Sequence, residues 1–404
     1  MGKKVPIADL QFGMYVAELD RPWTETPFTF QGFVLQTPEQ LDILQRHCSV
    51  VFVDPDRSEV VSRLSDPIPP RTRATVDLTG SGNFRWTEFL SVEEEYPRAA
   101  GCYAAGNVVV RECITALRSG RTLQADRLYE AVSLITESVL RNPDAMLLFG
   151  RLQEKGDYTQ SHALDCAIYM TAFGRFLEMS RDDIVLLAHL GLLQDIGKIK
   201  LPKLLIENPD RLTPIEYHVA QRHVRYSEEI LRATPGLPRA LAQLATLHHE
   251  RLDGSGYPHR LKGKDIGLIG SIAGIVDTFD ALTARRPYAA PISPSDALKV
   301  LYKSRGVLFD SYLVEQFIRC IGVFPLGSVV ELTGGEVGIV ITQNLAKRLQ
   351  PRVMVIQDPA GNPLQPQKLI DLSRGSAAPD GEPYRIKRAL EHSKVRISAT
   401  DLFL

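Results

Sequence analysis

Apolar residues with helical spacing fill the middle of this 404-residue chain and constrain its fold more than any other feature. From about Glu93 to Cys320 they recur mostly three or four positions apart, as in Leu128, Val132 and Ile135. This spacing predicts amphipathic helices whose apolar faces must be buried against one another. We therefore expect a mainly α fold, built around a helix bundle.

The two ends of the chain have different patterns from the middle. Residues 1–64 combine strand-like runs, a turn-rich stretch and one short helix, which predicts a small α+β module. Residues 65–84 are rich in proline and glycine and have the composition of a linker. After Phe324-Pro325 the apolar period changes to two, so residues 327–404 are predicted to form a short strand-rich C-terminal element. Residues 85–140 are predicted to be a helical connecting segment.

Charge and cysteine content argue against several classes of function. The 47 basic and 48 acidic side chains give a net charge of -1, so the whole molecule has no field that would attract nucleic acid or an anionic membrane. The five cysteines are scattered and form no CxxC pair, which argues against a disulfide framework and a zinc ribbon. The sequence has no apolar core typical of a signal peptide. No apolar run approaches the length of about 20 residues that a bilayer-spanning helix needs. These features predict a soluble, cytoplasmic protein without a membrane span.

Histidines are concentrated in one part of the predicted bundle, together with carboxylates. Seven of the nine histidines lie between His162 and His259. Imidazole and carboxylate ligands brought together from different helices suit iron, manganese, nickel or zinc. The segments concerned are Ser161-His162, Gln194-Asp195-Ile-Gly-Lys198, His223, His248-His249-Glu250, Gly256-Tyr257-Pro258 and Val276-Asp277. They predict a metal site inside the bundle.

In the order and types of these residues, the stretch from about Tyr158 to Leu326 resembles an HD-GYP domain, a branch of the HD phosphohydrolases. The matching segments are Tyr158-Thr-Gln-Ser-His162, Asp195-Ile-Gly-Lys198, His223, the run from His248 to Pro258, and the run from Asp277 to Tyr288. The first module, with Pro22-Trp23 and Gln31-Gly32-Phe33, is similar to the uncharacterised module that often precedes HD-GYP domains. The resemblance implies an HD-type helix bundle over residues 141–326.

The resemblance implies a site with two divalent transition-metal ions, for which iron, manganese and nickel are the favoured elements. Asp195 would bridge the two ions, and Lys198 would compensate the charge that grows on phosphate oxygens; these two are the expected catalytic residues. The other expected ligands are His162 and Asp277 for the first ion, and His223 with one or both of His248 and His249 for the second. Two such ions can supply a nucleophile at neutral pH for in-line attack on phosphorus.

The resemblance also implies a substrate. Family members hydrolyse cyclic di-GMP to linear pGpG and often on to GMP, lowering the level of a messenger that controls motility, biofilm formation and virulence. Gly256, Tyr257, Pro258 and Arg286 match positions that bind the ligand by stacking, hydrogen bonding or pairing with phosphate and guanine. Cyclic di-GMP is therefore the expected partner, and diguanylate cyclase (GGDEF) proteins and a second copy of the chain are further candidates.

One ligand position departs from the family. The residue before Asp195 is Gln194, where the family has the histidine of its His-Asp pair. An amide oxygen is a weaker ligand than imidazole for these metals, so Gln194 is a candidate ligand of a weakened first site. Two alternatives to hydrolysis of cyclic di-GMP follow: a receptor that binds the nucleotide without cutting it, and a phosphohydrolase of another nucleotide.

Several neighbouring residues are predicted to be structural. Asp280, three positions after Asp277, is interpreted as a hydrogen-bond acceptor, and Cys166 as a small buried apolar side chain. His189 and His218 are predicted to lie on other helix faces than the expected ligands, because their spacing from those ligands does not match a helical turn.

Overall fold

The structure is a computed structural model that describes most of the chain. The described residues are 3–21, 26, 33–35, 38–54, 86–153, 158–206, 208, 210, 212–284, 291–344, 346–378 and 381–390. The chain divides into two compact units, Met1–Val76 and Asp77–Leu404. The predicted linker at 65–84 lies outside the described residues.

The smaller unit is a four-stranded antiparallel sheet with one helix. The strands are β1 (Lys3–Pro6), β2 (Tyr15–Leu19), β3 (Phe33–Val34) and β4 (Val50–Asp54), in the order β1-β4-β2-β3, and the helix is α1 (Pro38–His47). Alternation along β4 buries Val51 and Val53, and Leu44 of α1 belongs to the same core. The predicted small α+β module is confirmed.

Helices make up most of the larger unit, which confirms the predicted mainly α fold. They are α2 (Val92–Arg118), α3 (Ala125–Arg141), α4 (Pro143–Leu152), α5 (Tyr158–Phe176), α6 (Arg181–Leu193), α7 (Lys203–Ile206), α8 (Pro214–Gln221), α9 (His223–Arg232), α10 (Leu241–Leu244), α11 (Gly267–Thr283), α12 (Pro294–Ser304) and α13 (Ser311–Ile321). Short 3-10 turns at Ile196–Lys200 and Gly263–Ile266 follow α6 and precede α11. Leu128, Val132 and Ile135 of α3 are buried, as their helical spacing requires.

Local signals fix where α8 begins. The side chain of Thr213 accepts a hydrogen bond from the backbone N–H of Glu216, and the Glu216 side chain accepts one from the Thr213 N–H. Pro214 occupies the first helical position, where its missing N–H costs nothing. This capping box starts α8 at a defined residue and so sets which of its side chains share a face.

Two glycines let the elements that carry the expected ligands approach closely. A Cβ atom on Gly191 of α6 would lie 2.5 Å from the Cα atom of Ala167 in α5. A Cβ atom on Gly197 would lie 2.1 Å from the carbonyl oxygen of His223 and 2.3 Å from the backbone nitrogen of Ser227. Only glycine permits these approaches, so α5, the end of α6 and α9 converge on one place.

One helix in the described part of the chain, Gly263–Thr283, is long and apolar enough to cross a membrane by length and composition. However, 67% of this helix window is buried inside the protein, and Asp277 and Asp280 on it are 5% and 1% exposed. Buried carboxylates and a covered apolar surface are typical of the core helix of a globular domain.

The C-terminal element is a five-stranded antiparallel sheet. The strands are β5 (Val329–Leu332), β6 (Val337–Thr342), β7 (Arg352–Gln357), β8 (Pro363–Asp371) and β9 (Ile386–Leu390), in the order β8-β7-β6-β5-β9. Ile339, Val340 and Ile341 in β6 are all fully buried. The predicted strand-rich element is confirmed.

Asp144 joins this sheet to the helices. It lies at the start of α4, is 8% exposed, and accepts a hydrogen bond of 2.8 Å from the backbone N–H of Gln343. Burial raises the pKa of Asp144 to about 7, while the Gln343 N–H and nearby Arg175 act in the opposite direction. The folded protein therefore holds a proton on this carboxyl over a pH range in which the unfolded chain would release it.

Replacing Asp144 by asparagine, which keeps the acceptor oxygen, is expected to flatten the pH dependence of stability. Between about pH 4 and about pH 7 the folded state binds the extra proton, so this group makes the free energy of unfolding fall as pH rises. The slope contributed is about 1.4 kcal/mol per pH unit. Urea unfolding at several pH values in this range measures it. A wild-type slope in D144N would contradict the prediction, and D265N, which alters an exposed aspartate, should keep the wild-type slope.

Candidate metal centre

The expected ligands come from separate parts of the larger unit and meet at one buried place. The contributing elements are α5 with His162, the end of α6 with Gln194 and Asp195, α9 with His223, the segment after α10 with His248 and His249, and α11 with Asp277. All of these side chains except His249 are at most 5% exposed, and His249 is partly buried. The folded chain thus concentrates imidazoles and carboxylates where water has little access.

Asp195 lies between two groups of histidines. Its Oδ2 atom is 2.9 Å from Nε2 of His162, and its Oδ1 atom is 3.1 Å from Nε2 of His223. Nε2 of His248 is 3.5 Å from the same Oδ1 atom, and Nζ of Lys198 is 2.7 Å from Oδ2. Burial alone would raise the pKa of Asp195, but Lys198 and the histidines hold it well below its usual range. The carboxylate therefore remains ionised, with one oxygen directed to each group.

Asp277 completes the first of these groups. Its Oδ1 atom is 3.1 Å from Nε2 of His162, and its Oδ2 atom is 3.8 Å from Nδ1 of His249. Burial opposes ionisation of Asp277, yet the hydrogen bond from His162 and the field of His249 hold its pKa below the usual range. His162, Asp195 and Asp277 each offer one ligand atom, and these atoms lie within 4.8 Å of one another.

The second group consists of Asp195, His223, His248 and His249, whose ligand atoms also lie within 4.8 Å of one another. Burial lowers the pKa of His223, and it lowers the pKa of His249 still further with the help of neighbouring His248. These two rings are therefore neutral near pH 7, the form in which imidazole binds a metal ion. Both ligand groups share Asp195.

The ring nitrogens of this second group are arranged as a cation would require. Nδ1 of His223 donates to the carbonyl oxygen of Ala220 at 2.7 Å. Nδ1 of His248 donates to the carbonyl oxygen of Ala245 at 2.8 Å. In the neutral form of both rings, the two Nε2 atoms carry bare lone pairs, and they face each other 3.4 Å apart beside Oδ1 of Asp195. Acceptors so close together repel one another unless a cation lies among them, so these residues fit a divalent metal ion.

The segment Gly256-Tyr257-Pro258 is held against the second group. A Cβ atom on Gly256 would lie 2.5 Å from the carbonyl oxygen of His249, so only glycine allows this approach. The Tyr257 ring stacks on the His249 ring with centroids 4.6 Å apart and an interplanar angle of 27°. Glu250, 3% exposed, accepts hydrogen bonds from the backbone N–H groups of His259 and Leu261 at 2.7 and 2.9 Å. These bonds fix both ends of the turn that presents Tyr257.

A cavity of about 460 Å³ opens beside this centre. Its lining includes Lys198, His223, His249, Tyr257 and Asp277. A volume of this size is typical of small-molecule sites, and its lining combines apolar side chains with the polar and charged ones of the metal centre. The fourth expected ligand-binding residue, Arg286, lies outside the described residues, as do all of 285–290.

Comparison with known proteins indicates the same family as the sequence motifs. Two family models match: "HD domain" over residues 147–313 and "Domain of unknown function (DUF3391)" over residues 2–128. The cyclic di-GMP phosphodiesterase PA4108 of Pseudomonas aeruginosa is 30% identical over 379 residues, which are 93% of this chain and 90% of that protein. The chain belongs to the HD-GYP family. The HD domain implies that it binds divalent metal.

Two further relatives match shorter parts of this HD-GYP protein. The 3'3'-cGAMP-specific phosphodiesterase 3 of Vibrio cholerae is 33% identical over 178 residues, 44% of this chain and 38% of that protein. The cyclic di-GMP phosphodiesterase response regulator RpfG of Xanthomonas campestris is 38% identical over 144 residues, 35% of this chain and 38% of that protein. The relatives thus include enzymes named for two different cyclic dinucleotides.

Gln194, which the sequence motif predicts to replace a ligand histidine of the family, is fully buried at the end of α6. Neither its amide oxygen nor its amide nitrogen has a hydrogen-bond partner among the described residues. Leaving a buried polar group without a partner costs about 1–3 kcal/mol. Any hydrogen-bonding or metal partner of this amide must therefore be something other than the described side chains and backbone.

Asp280 orients His162 in this HD-GYP site. Its Oδ2 atom is 2.6 Å from Nδ1 of His162, and both side chains are at most 2% exposed. Nδ1 of His162 donates a hydrogen bond to this carboxylate, which directs Nε2 at Asp195 and Asp277. Cys166, also buried, lies with its sulfur 3.7 Å from both ring nitrogens. The ring is thus held in one orientation.

The Asp280→Asn variant is expected to bind metal about 10- to 100-fold more weakly, because the neutral amide no longer fixes the His162 tautomer. Metal content is measured after competition with a chelator of known affinity. The D265N variant, changed at an exposed aspartate just before α11, is the matched control. Unchanged metal affinity in D280N would show that His162 does not need this contact.

Sequence reasoning gave no role to two residues that line the cavity. Arg251 donates hydrogen bonds to the carbonyl oxygens of His248 and Glu250 at 3.1 and 2.7 Å, and so stiffens the segment between the ligands and Tyr257. Its position directly after His248-His249-Glu250 was the available signal. Tyr217 of α8 also lines the cavity, and no local pattern marks it.

Proposed function

We propose that this protein is a metal-dependent phosphodiesterase that hydrolyses cyclic di-GMP. The observation that carries the proposal is the position of Asp195, whose two oxygens face two groups of ligand atoms beside a cavity of about 460 Å³. The relative that matches over nearly the whole chain is named a cyclic di-GMP phosphodiesterase. Hydrolysis to linear pGpG, continuing to GMP, is the proposed extent of the reaction.

The proposed cofactor is a pair of divalent transition-metal ions, iron, manganese or nickel. Residues that would hold the first ion are His162, Asp195 and Asp277, with Gln194 as a candidate. Those that would hold the second are Asp195, His223 and one or both of His248 and His249. When bound, such ions supply Lewis acidity toward a phosphoryl oxygen and its attacking nucleophile.

The side chains around these ligands would bind and orient the phosphodiester. Lys198 lines the cavity; burial alone would lower its pKa, but Asp195 raises it, so the ammonium stays charged and can pair with a phosphate oxygen. Gly256, Tyr257 and Pro258 would form the wall against which the nucleotide lies. Arg286 is the proposed further cation toward phosphate or guanine.

Hydrolysis is tested with protein purified without chelator and supplied with manganese or ferrous iron. Chromatography of the reaction should show pGpG early and GMP later. If protein that contains two metal ions per chain produced neither, the phosphodiesterase proposal would be wrong.

A receptor without catalytic activity is the second candidate, and it is favoured by Gln194 at the position where the resemblance predicts a ligand histidine. It predicts binding of cyclic di-GMP without products. Activity toward another nucleotide is distinguished by competition, because 3'3'-cGAMP or a mononucleotide would then bind more tightly than cyclic di-GMP. Partnership with a diguanylate cyclase, homodimer formation and a cytoplasmic location stay predictions of the sequence.

A further inference from the structure

Helices α7 and α8 form the outer wall of the cavity without belonging to the core. Neither helix contains a buried residue. Yet Leu205, Ile206, Tyr217 and Ala220 line the cavity, together with Leu212 between the helices. An apolar wall with almost no core contact of its own gains most from an apolar or aromatic ligand that covers it.

Tyr217 has a geometry that the other two tyrosines of the cavity lack. Tyr158 stacks on His162 with an interplanar angle of 18°, and Tyr257 stacks on His249 with an angle of 27°. Both rings therefore already have a face against a proposed ligand histidine. Tyr217 instead packs edge to face with Tyr257, with centroids 6.3 Å apart and an angle of 83°, and it is 51% exposed.

The two rings Tyr217 and Tyr257 thus meet at a right angle within the cavity. Tyr217, Ala220 and Gln221 share one face of α8, because they are three and four positions apart, and all three line the cavity. Tyr217 therefore lies on the face of α8 that is directed toward the cavity. The exposed Ile215 belongs to a different part of that helix surface.

We propose that Tyr217 stacks on a purine base of the cyclic dinucleotide, and that the apolar wall of α7 and α8 forms the remainder of that base site. The inference rests on the proposed function. With a phosphodiester at the metal centre, a base lies one ribose away, and the wall lines the same cavity as Lys198 and Asp277. Every purine has a π-face, so the site suits cyclic di-GMP and 3'3'-cGAMP alike.

The test compares Tyr217→Ala and Tyr217→Phe in the metal-loaded full chain. Loss of one stacking partner should raise KM for cyclic di-GMP about 10-fold or more in Y217A, with kcat and metal content within about twofold of wild type. Y217F keeps the ring and should restore wild-type KM. Tyr312→Ala is the matched control, since Tyr312 is 61% exposed and is not among the residues that line the cavity. If the wild type binds without hydrolysis, Kd takes the place of KM.

Two results would overturn the inference: a wild-type KM in Y217A, whether or not kcat falls, or a Y217F variant as weak as Y217A. Each leaves the proposed function standing, because wild-type protein would still hydrolyse the nucleotide. If wild-type protein neither binds nor hydrolyses cyclic di-GMP, the proposed function itself fails. A 10-fold rise for cyclic di-GMP with none for 3'3'-cGAMP would also contradict a base site that accepts any purine.

Discussion

Replacing Asp195 by asparagine is expected to lower the rate of cyclic di-GMP hydrolysis by roughly 1,000-fold or more, the scale seen when a central catalytic group is removed. Asp195 is the one side chain shared by both ligand groups, with Nε2 of His162 and Nε2 of His223 at 2.9 and 3.1 Å from its two oxygens. The amide has nearly the same shape but no negative charge. Both metal sites should therefore weaken together, and Lys198 loses its ionic partner.

The measurement is metal content per chain by mass spectrometry, alongside the hydrolysis rate. D182N, changed at an exposed aspartate in the first turn of α6, controls for handling and should behave as wild type. Circular dichroism of D195N should keep the helical signal, since the bundle core does not depend on this residue. An active D195N variant would contradict the bridging role, and an inactive one that still binds two ions would place the role of Asp195 in catalysis alone.

The helical part of the fold is predictable because its signal is local. Leu128, Val132 and Ile135 recur with the period of a helix, and all three are buried in α3. The strands of the C-terminal sheet are predictable for the same reason, from the change of period after Phe324-Pro325. Patterns of this kind say which face of an element is buried, but they do not say which other element covers it.

The packing that builds the site depends on contacts between distant parts of the chain. Gly191 approaches the backbone of Ala167, and Gly197 approaches that of Ser227, at distances that no side chain would allow. Asp144 acquires its raised pKa by burial, and its hydrogen-bond donor is Gln343, which directly follows β6 and lies 199 positions later in the chain. No local pattern at these residues indicates such neighbours, so sequence alone could not supply them.

The candidate site, like the fold, has features that the sequence predicts and features that only the folded chain shows. The ligands are predictable as a set, since each histidine or aspartate belongs to a short motif. That Asp195 presents one oxygen to each group, and that Asp280 accepts a hydrogen bond from Nδ1 of His162, are properties of the folded chain. Tyr217 is the clearest case of a residue whose role the sequence does not predict. Its place in the cavity follows from where α8 lies relative to Tyr257.

Replacing Gln194 by histidine is expected to tighten metal binding at least about tenfold, because imidazole is a better ligand than an amide for late transition metals. Turnover at limiting metal should rise accordingly. If the wild type is an active phosphodiesterase, the two proteins should converge at saturating metal. If it is a receptor, hydrolysis should appear only in Q194H, while the affinity for cyclic di-GMP stays similar in both.

Replacing Gln194 by leucine tests whether the side-chain amide is a metal ligand. Leucine has a similar volume and removes a buried amide that has no partner among the described residues, so the metal-free protein should gain about 1–3 kcal/mol of unfolding free energy in either case. The two roles differ once metal is added. If the amide oxygen is a ligand, Q194L loses metal affinity and is stabilised less by metal than the wild type. If the amide is not a ligand, metal stabilises both proteins equally. The ligands of the first site are then His162, Asp195 and Asp277 alone.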